Sequence, residues 1–359
     1  MKKIQRYSAF EAISQAQKIA FAPMVFQATV IFLRRGIFAL LEAHGKTGGL
    51  TAGEVSKQAG LSLYAATLLL DVGESAELVY SERSDGEKHY FLSKIGFFFL
   101  HDKMTQANLN FTQDVCYQGL YHLNESFSYS RPEGLKVFGD WDTIYPALSQ
   151  LPQAAQKSWF EFDHYYSDGA YAAALPHVFE LKPAVIYDVG GNTGKFSLKC
   201  CAYNSDVQMC IVDLPEQIEL ARANIEAQAA FADRIDYHAA NMLDESVSLP
   251  EDADVWWMSQ FLDCFSREQI VSILRKIKQQ LKPGARVCIL ELFPDVQRFE
   301  AAEFSLNMSS LYFTCMANGN SRFYESDVFL ECIQDAGLVV EKLVNELGVG
   351  HSLLICRHP

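Results

Sequence analysis

From Ala184 onward, short and almost wholly apolar runs alternate with helical stretches, a pattern that restricts the C-terminal half to a doubly wound α/β sheet. The runs are VIYDVGG, VQMCIVDLP, ADVWWMS and ARVCILELF. Each has apolar side chains at successive positions rather than at every second one, as a parallel strand buried on both faces requires. At 359 residues the chain exceeds what one hydrophobic core usually supports, so a second domain is expected ahead of this sheet.

In that first half, apolar residues from Phe10 to about Ala43 recur at three and four positions, with Phe26, Ile31, Phe32, Ile37, Leu40 and Leu41 prominent, and predict two helices. Thr51-Ala52-Gly53-Glu54 has the spacing of a capping box, so a short helix should run to Ala59 and end at Gly60. Ser62 opens another helix, Leu63 to Glu77, and two strands follow around an Asp85-Gly86 turn. Helix, turn, helix and hairpin in this order predict a winged helix. Its helix in the DNA-recognition position has no Lys or Arg and carries Asp71, Glu74 and Glu77, so phosphates would repel it. The helices ahead of the wing are apolar on more than one face, which predicts that a second copy covers them in a homodimer. A mainly helical stretch rich in aromatics, Trp141, Tyr145, Trp159, Phe160, Phe162, Tyr165 and Tyr166 among them, joins the halves. The expected division is residues 1–110 for the winged-helix-like dimerisation domain, 111–179 for a connector lining a pocket, and 180–359 for the sheet domain.

A net charge of -14 sets the field of the whole molecule against polyanions such as DNA or an anionic bilayer, and favours a small-molecule or cationic ligand. The nine cysteines are odd in number, include the adjacent Cys200 and Cys201, and show no C-x-x-C spacing; neither a disulfide framework nor a metal site is expected. The opening MKKIQRYSAFEAISQ has no apolar run of the kind a signal peptide needs, and no stretch approaches the ~20 apolar residues of a membrane span. These features predict a soluble, cytoplasmic protein.

The chemistry is concentrated in VIYDVGGNTGKFSL, where a buried strand ends at Asp188 and passes through Gly190, Gly191, Asn192, Thr193 and Gly194 into a helix. Glycines permit the tight turn and the close approach of a ligand to the backbone, and the helix start offers free N–H groups. Such a turn also fits a purely structural role. The next strand, in IVDLPEQIELA, ends at Asp213, roughly the ~20 residues further on at which a carboxylate accepts ribose hydroxyls. HAANMLD then offers Asn241 and Met242 to an adenine ring. Together these describe an adenosine site, common to NAD and S-adenosylmethionine.

Here the chain resembles the plant and bacterial small-molecule O-methyltransferases, which join a winged-helix-like dimerisation domain to a Rossmann-like class I methyltransferase domain. The resemblance covers nearly the whole chain and rests on DVGGNTG, IVDLP, ANML, SREQIVSILRKIKQQLKPGARVCILE and GNSRFYESDVFLECIQDAGL. It implies S-adenosylmethionine as cofactor, S-adenosylhomocysteine as product, no metal, and methyl transfer to an oxygen of an aromatic or apolar small molecule. On this resemblance Asp188, Gly190, Gly191, Asn192, Gly194, Asp213, Leu214, Asn241, Met242 and Ser259 serve the cofactor. Phe162, His164, Tyr166, Met308, Tyr312 and Met316 face the acceptor.

One departure bears on the reaction. The family's proton-accepting histidine falls at Asp263 in FLDCFSREQ, its supporting glutamate matches Glu291, and its second glutamate is replaced by Ser321. An ordinary Asp is a far weaker base than His. Three roles for Asp263 remain open: a base retuned by burial, a binding group for a polar or cationic acceptor, and a solvated loop residue. His164 and His351 are the other candidate bases. N- or C-methylation, other chemistry on the same cofactor, and a ligand-responsive winged-helix regulator stand as alternatives.

Overall fold

The computed structural model describes residues 7–228 and 230–359. The first six residues of the segment read for a leader lie outside the described residues. The chain divides into two compact units, Met1–Gln113 and Asp114–Pro359.

The first unit opens with three helices where two were expected: α1 (Ala9–Ala20), α2 (Ala22–Arg34) and α3 (Ile37–His44). Pro23, in the first turn of α2, forces the break after Phe21, and the axes of α1 and α2 meet at 61°. Gly36, at φ 70°, makes the next break. Apolar periodicity continues across both, which is why it hid them. Next come β1 (Leu50–Thr51), α4 (Ala52–Ala59), α5 (Leu63–Ser75), β2 (Val79–Ser84), β3 (Glu87–Leu92), α6 (Lys94–His101) and α7 (Lys103–Phe111).

The predicted capping box forms, with the Glu54 N–H donating to Thr51 Oγ1 at 3.3 Å and the Thr51 N–H donating to Glu54 Oε2 at 2.8 Å. Gly60 ends α4 at φ 64°. Asp85 (φ 52°) and Gly86 (φ 85°) make the two-residue hairpin turn, and the antiparallel strands lie in the order β1-β3-β2. Phe32 and Phe38 stack at 5.0 Å in the core beneath, with Leu41, Val55 and Leu70 around them. The helix in the recognition position, α5, ends at Ser75, two residues early. Lys88 of the wing lies 2.8 Å from Glu74 and 3.9 Å from Asp71, so this cation is engaged by the acidic face of α5.

The second unit begins with α8 (Leu123–Tyr129), short 3-10 turns and the long α9 (Gln153–Phe179). Strands and helices then alternate: β4 (Val185–Val189), α10 (Lys195–Tyr203), β5 (Gln208–Asp213), α11 (Pro215–Gln228), β6 (Ile235–Ala239), β7 (Val255–Ser259), α12 (Arg267–Gln279) and β8 (Arg286–Glu291). The chain finishes with α13 (Glu300–Tyr312), α14 (Ser326–Asp335) and a hairpin of β9 (Val339–Leu347) and β10 (His351–Arg357). The seven strands lie in the order β6-β5-β4-β7-β8-β10-β9, and β4 through β8 are parallel.

Both sheet faces are covered. Trp256 and Trp257 are adjacent in β7 and fully buried in opposite core clusters, the first with Ile270 and Ile273 of α12, the second with Phe196 of α10 at a ring distance of 4.0 Å. Strand order reverses between β4 and β7, because the chain builds outward through β5 and β6 before crossing back. At that switch the connections leave the strand ends in opposite directions, and the crevice that such a switch forms is the usual ligand site of doubly wound sheets.

Candidate active site

The glycine loop lies at this crevice. β4 extends to Val189, one residue beyond the expected end, because Val189 still pairs with Val212 and Met258. Gly190 then turns at φ 73°, Asn192 at φ 50° and Gly194 at φ 76°, where α10 begins. The glycines serve the protein's own packing as much as a ligand. A Cβ on Gly190 would overlap the Phe261 ring, one on Gly191 would come within 3.1 Å of the Asp188 carboxyl, and one on Gly194 would lie 2.7 Å from Ile225 Cδ1.

Asp213 ties this loop to the next strand. Its two carboxyl oxygens accept the backbone N–H groups of Asn192 at 2.9 Å and Leu214 at 2.8 Å, and the residue is half-buried. Burial pushes it up to about 6, against the pull of those two N–H groups. Asp188 occupies a different place from the one expected: it is 3 % exposed, beneath the loop, and accepts from Ser197 Oγ at 2.7 Å. Met242 is 4 % exposed within the core beside Ala240 and Met258, while Asn241 is exposed and accepts from the Leu243 N–H at 3.0 Å. Ser259 closes β7 at the crevice.

Helix α9 lies along the loop. Asn192 Nδ2 donates to Asp163 Oδ2 at 3.4 Å, and Lys195 Nζ donates to Asp168 Oδ2 at 3.0 Å. Two buried acceptors here, Asn192 Oδ1 and Asp168 Oδ1, lack a hydrogen-bond donor. Burial and the charge of Asp168 push Asp163 up to about 7, whereas burial and the neighbouring Lys195 push His164 down to about 4. His164 is thus neutral near pH 7.

Across the crevice, Asp263 lies in a buried 3-10 turn, Leu262–Cys264, rather than in solvent. Glu291, at the end of β8, accepts the N–H groups of Phe261 at 3.2 Å and Leu262 at 2.9 Å through Oε1. On the other side, Asn318 Nδ2 donates to the Cys264 carbonyl at 2.9 Å, to Ser321 Oγ at 2.7 Å and to Tyr145 Oη at 3.1 Å. Tyr324 Oη donates to the Phe265 carbonyl at 2.8 Å. Burial, with the charge of Asp163, pushes Asp263 up to about 7; burial and Asp263 hold Glu291 well above the usual carboxylate range. The solvated-loop role is therefore excluded.

The other proposed residues fall into three environments. Phe162 and Tyr166 pack at a tilt on α9, with 4.9 Å between ring centres, and Tyr312 accepts from Trp159 Nε1 at 2.6 Å. Met308 stands 47 % exposed on α13. Met316 is fully buried beside Gly119 and Gly134, a packing residue rather than a lining one. His351 is also fully buried; its Nε2 lies 2.8 Å from Gln260 Oε1, and burial pushes it down to about 3, so it has no capacity as a base near neutral pH. The sequence reading missed Asp163, Tyr145 and Asn318. Asn318 stands just before the GNSRF segment, but nothing in that spacing says it would hold a turn more than fifty residues earlier.

Fold and crevice define a Rossmann-like nucleotide-type domain preceded by a winged helix. Residues 171–338 match the O-methyltransferase domain family and residues 14–88 the Dimerisation2-like domain family. The first match lies wholly within the second unit and the second within the first. It is similar to O-methyltransferase aoiF of Aspergillus oryzae, 30 % identical over 181 residues, which are 48 % of this chain and 42 % of that protein. It is also similar to chlorophenol O-methyltransferase of Trichoderma longibrachiatum, 34 % identical over 102 residues, 28 % of this chain and 21 % of that one. The chain thus spans less than half the length of these curated relatives. The crystal structure of human N-acetylserotonin methyltransferase in complex with S-adenosylmethionine has the same fold, with a TM-score of 0.68 at 18 % identity over 100 % of this chain and 99 % of that one.

Proposed function

We propose that this protein transfers a methyl group from S-adenosylmethionine to a hydroxyl oxygen of an aromatic or otherwise apolar small molecule. The observation that carries the reading is the carboxylate at the end of β5 holding the glycine loop at the switch of the sheet, inside a stretch that matches the O-methyltransferase domain. The residues fit the cofactor. Asp213 would hold the ribose, Asn241 the adenine with Leu214 and Ser259 beside it, and the orphaned oxygens of Asn192 and Asp168 the α-ammonium group. Bound there, the cofactor supplies an electrophilic methyl group.

The chain's own contribution is orientation and proton removal. Phe162, Tyr166, Trp159 and Tyr312 take the acceptor's apolar body, and Asp263, on the turn whose Phe261 and Leu262 N–H groups Glu291 accepts, takes its proton. The parallel sheet and its connector, residues 111–179 and 180–359, do the chemistry, and residues 1–110 hold the dimer.

The homodimer reading rests on α1, which has no buried residue although it is a fully capped helix. Phe10, Ile13 and Ile19 on α1, with Phe21 and Met24 after it, are more than half exposed, and a second copy would cover them. No single helix among the described residues is long and apolar enough to cross a membrane. With the acidic charge, this supports a cytoplasmic enzyme acting on dissolved small molecules.

Calorimetric titration tests the cofactor, and a labelled-methyl assay on a panel of phenols, catechols and hydroxyquinones tests the reaction. Absence of S-adenosylhomocysteine binding at near-millimolar ligand would reject the reading.

A further inference from the structure

Between α8 and α9 the chain makes a 3-10 turn, Tyr145–Gln150, directly after the fully buried Ile144. Pro146 favours the turn by fixing its own φ, and Ala147 and Leu148 sink into the core. A 3-10 turn of six residues does not hold itself in one place, so its position is set by what it is tied to. Its ties run to two separate parts of the sheet domain. On one side, Gln217 Nε2, in the first turn of α11, donates to the Tyr145 carbonyl at 2.9 Å. On the other, the Ile144 N–H donates to the Ala317 carbonyl at 2.9 Å, and Asn318 Nδ2 donates to Tyr145 Oη at 3.1 Å.

Both amides are oriented for this. Asn318 Oδ1 accepts the N–H groups of Asn320 at 3.0 Å and Ser321 at 3.1 Å, which turns Nδ2 toward Tyr145 and toward the Cys264 carbonyl, 2.9 Å away. Tyr145 therefore shares a donor with the turn Leu262–Cys264, which carries Asp263. Gln217 is 7 % exposed, and its Oε1 is buried with no hydrogen-bond donor among the described residues. An amide oxygen left unpaired in the core is a cost that an apolar side chain of equal length avoids. What the glutamine supplies in return is its one bond to Tyr145.

The same helix start leads back to the glycine loop. The Leu214 carbonyl accepts the Gln217 N–H at 3.0 Å, and the Asp213 carboxyl accepts the N–H groups of Leu214 at 2.8 Å and Asn192 at 2.9 Å. An unbroken series of hydrogen bonds thus runs from the carboxyl at the end of β5, through Gln217, Tyr145 and Asn318, to the turn after β7.

Resting on the methyl-transfer reading above, we propose that Gln217 is a positioning residue, which through Tyr145 and Asn318 sets the place of the turn Leu262–Cys264 relative to a cofactor held at Asp213. In-line transfer depends steeply on alignment, and a displacement of about 1 Å can cost on the order of a hundredfold in rate. Loss of the Gln217 bond therefore lowers kcat, while cofactor affinity, carried by Asp213 and the glycine loop, stays close to its original value.

The test uses the full chain and compares Q217M, which keeps the side-chain length and removes the donor, with Y145F, which removes the hydroxyl, and with the double variant. Calorimetric titration should place S-adenosylhomocysteine affinity within about threefold of wild type in all three. With a member of the phenol and catechol panel that the wild type methylates, kcat should fall on the order of tenfold in Q217M and in Y145F. The double variant should fall no further than either alone, because both changes cut one series. Hydrogen exchange supplies a readout without turnover: S-adenosylhomocysteine should slow exchange at residues 144–150 in the wild type and leave it unchanged in Q217M. A Q217M kcat equal to wild type, losses that multiply in the double variant, a defect in cofactor affinity in place of one in kcat, or equal slowing of exchange in Q217M would overturn the inference. Should Q217M not fold, Y145F decides alone, since its kcat must fall at unchanged cofactor affinity. If S-adenosylhomocysteine does not bind the wild type, or binds while no member of the panel is methylated, it is the parent reading that fails.

Discussion

The ring of Phe261 occupies the space that a Cβ on Gly190 would need. The glycine loop after β4 and the turn after β7 are therefore one packed unit, although more than sixty residues separate them in the chain. A shift of either is felt by the other.

Gly190→Ala should accordingly be costly in two ways, through its positive φ and through displacement of Phe261. Gly284→Ala is the comparison, since Gly284 has φ 87° and open space around it. Denaturant unfolding should give a loss of about 1 kcal/mol for Gly284→Ala and about 2–4 kcal/mol for Gly190→Ala. Equal losses would show that the Phe261 contact is dispensable.

Glu291 supports the turn through Oε1, and an amide oxygen can do the same. Glu291→Gln should unfold within about 1 kcal/mol of wild type, whereas Glu291→Ala strands two buried N–H groups and should lose at least about 2 kcal/mol. Urea midpoints for the two variants decide this. A Gln variant as unstable as the Ala variant would mean that the pair's charge, and not its geometry, holds the turn.

Stability should fall as pH rises. Asp188 binds its proton at about 7 in the folded chain against an ordinary 3.8, and Asp163 and Asp263 behave alike. Between those values the folded state holds more protons than the unfolded one, so the stabilisation is complete below about 4 and is lost as pH climbs through about 7. Asp188→Asn, which keeps an acceptor for Ser197, should flatten this slope by up to about 4 kcal/mol between pH 4 and 8. Melting curves across that range read it directly; a melting point that rises from pH 5 to 8 would contradict it.

A charge on α1 should separate the copies. Phe10→Glu together with Ile13→Glu alters two side chains that are 85 % and 58 % exposed in a single copy, so the fold of each unit should survive. Light scattering is expected to give twice the chain mass for the wild type and half of that for the double variant. A monomeric wild type would leave α1 without a partner.

Much of the fold was legible because local rules decide it. Four of the seven strands of the sheet, β4, β5, β7 and β8, the Thr51–Glu54 cap, the Gly60 stop and the Asp85-Gly86 turn each depend on neighbours along the chain, and each formed within the runs indicated. The loop Gly190 to Gly194 and its link to Asp213 were legible for the same reason, since a βαβ unit brings successive strand ends together. The break between α1 and α2 escaped because apolar periodicity carries through a bend.

What the chain order alone determined is a parallel sheet with an acid and a glycine turn at adjacent strand ends. Burial was decided only by tertiary structure. Asp263 had three roles open to it in one dimension; its raised proton affinity comes first from burial and then from the charge of Asp163, which arrives from α9. A pKa depends on the water removed and the charges gathered around a group, and neither quantity is written in the spacing of residues.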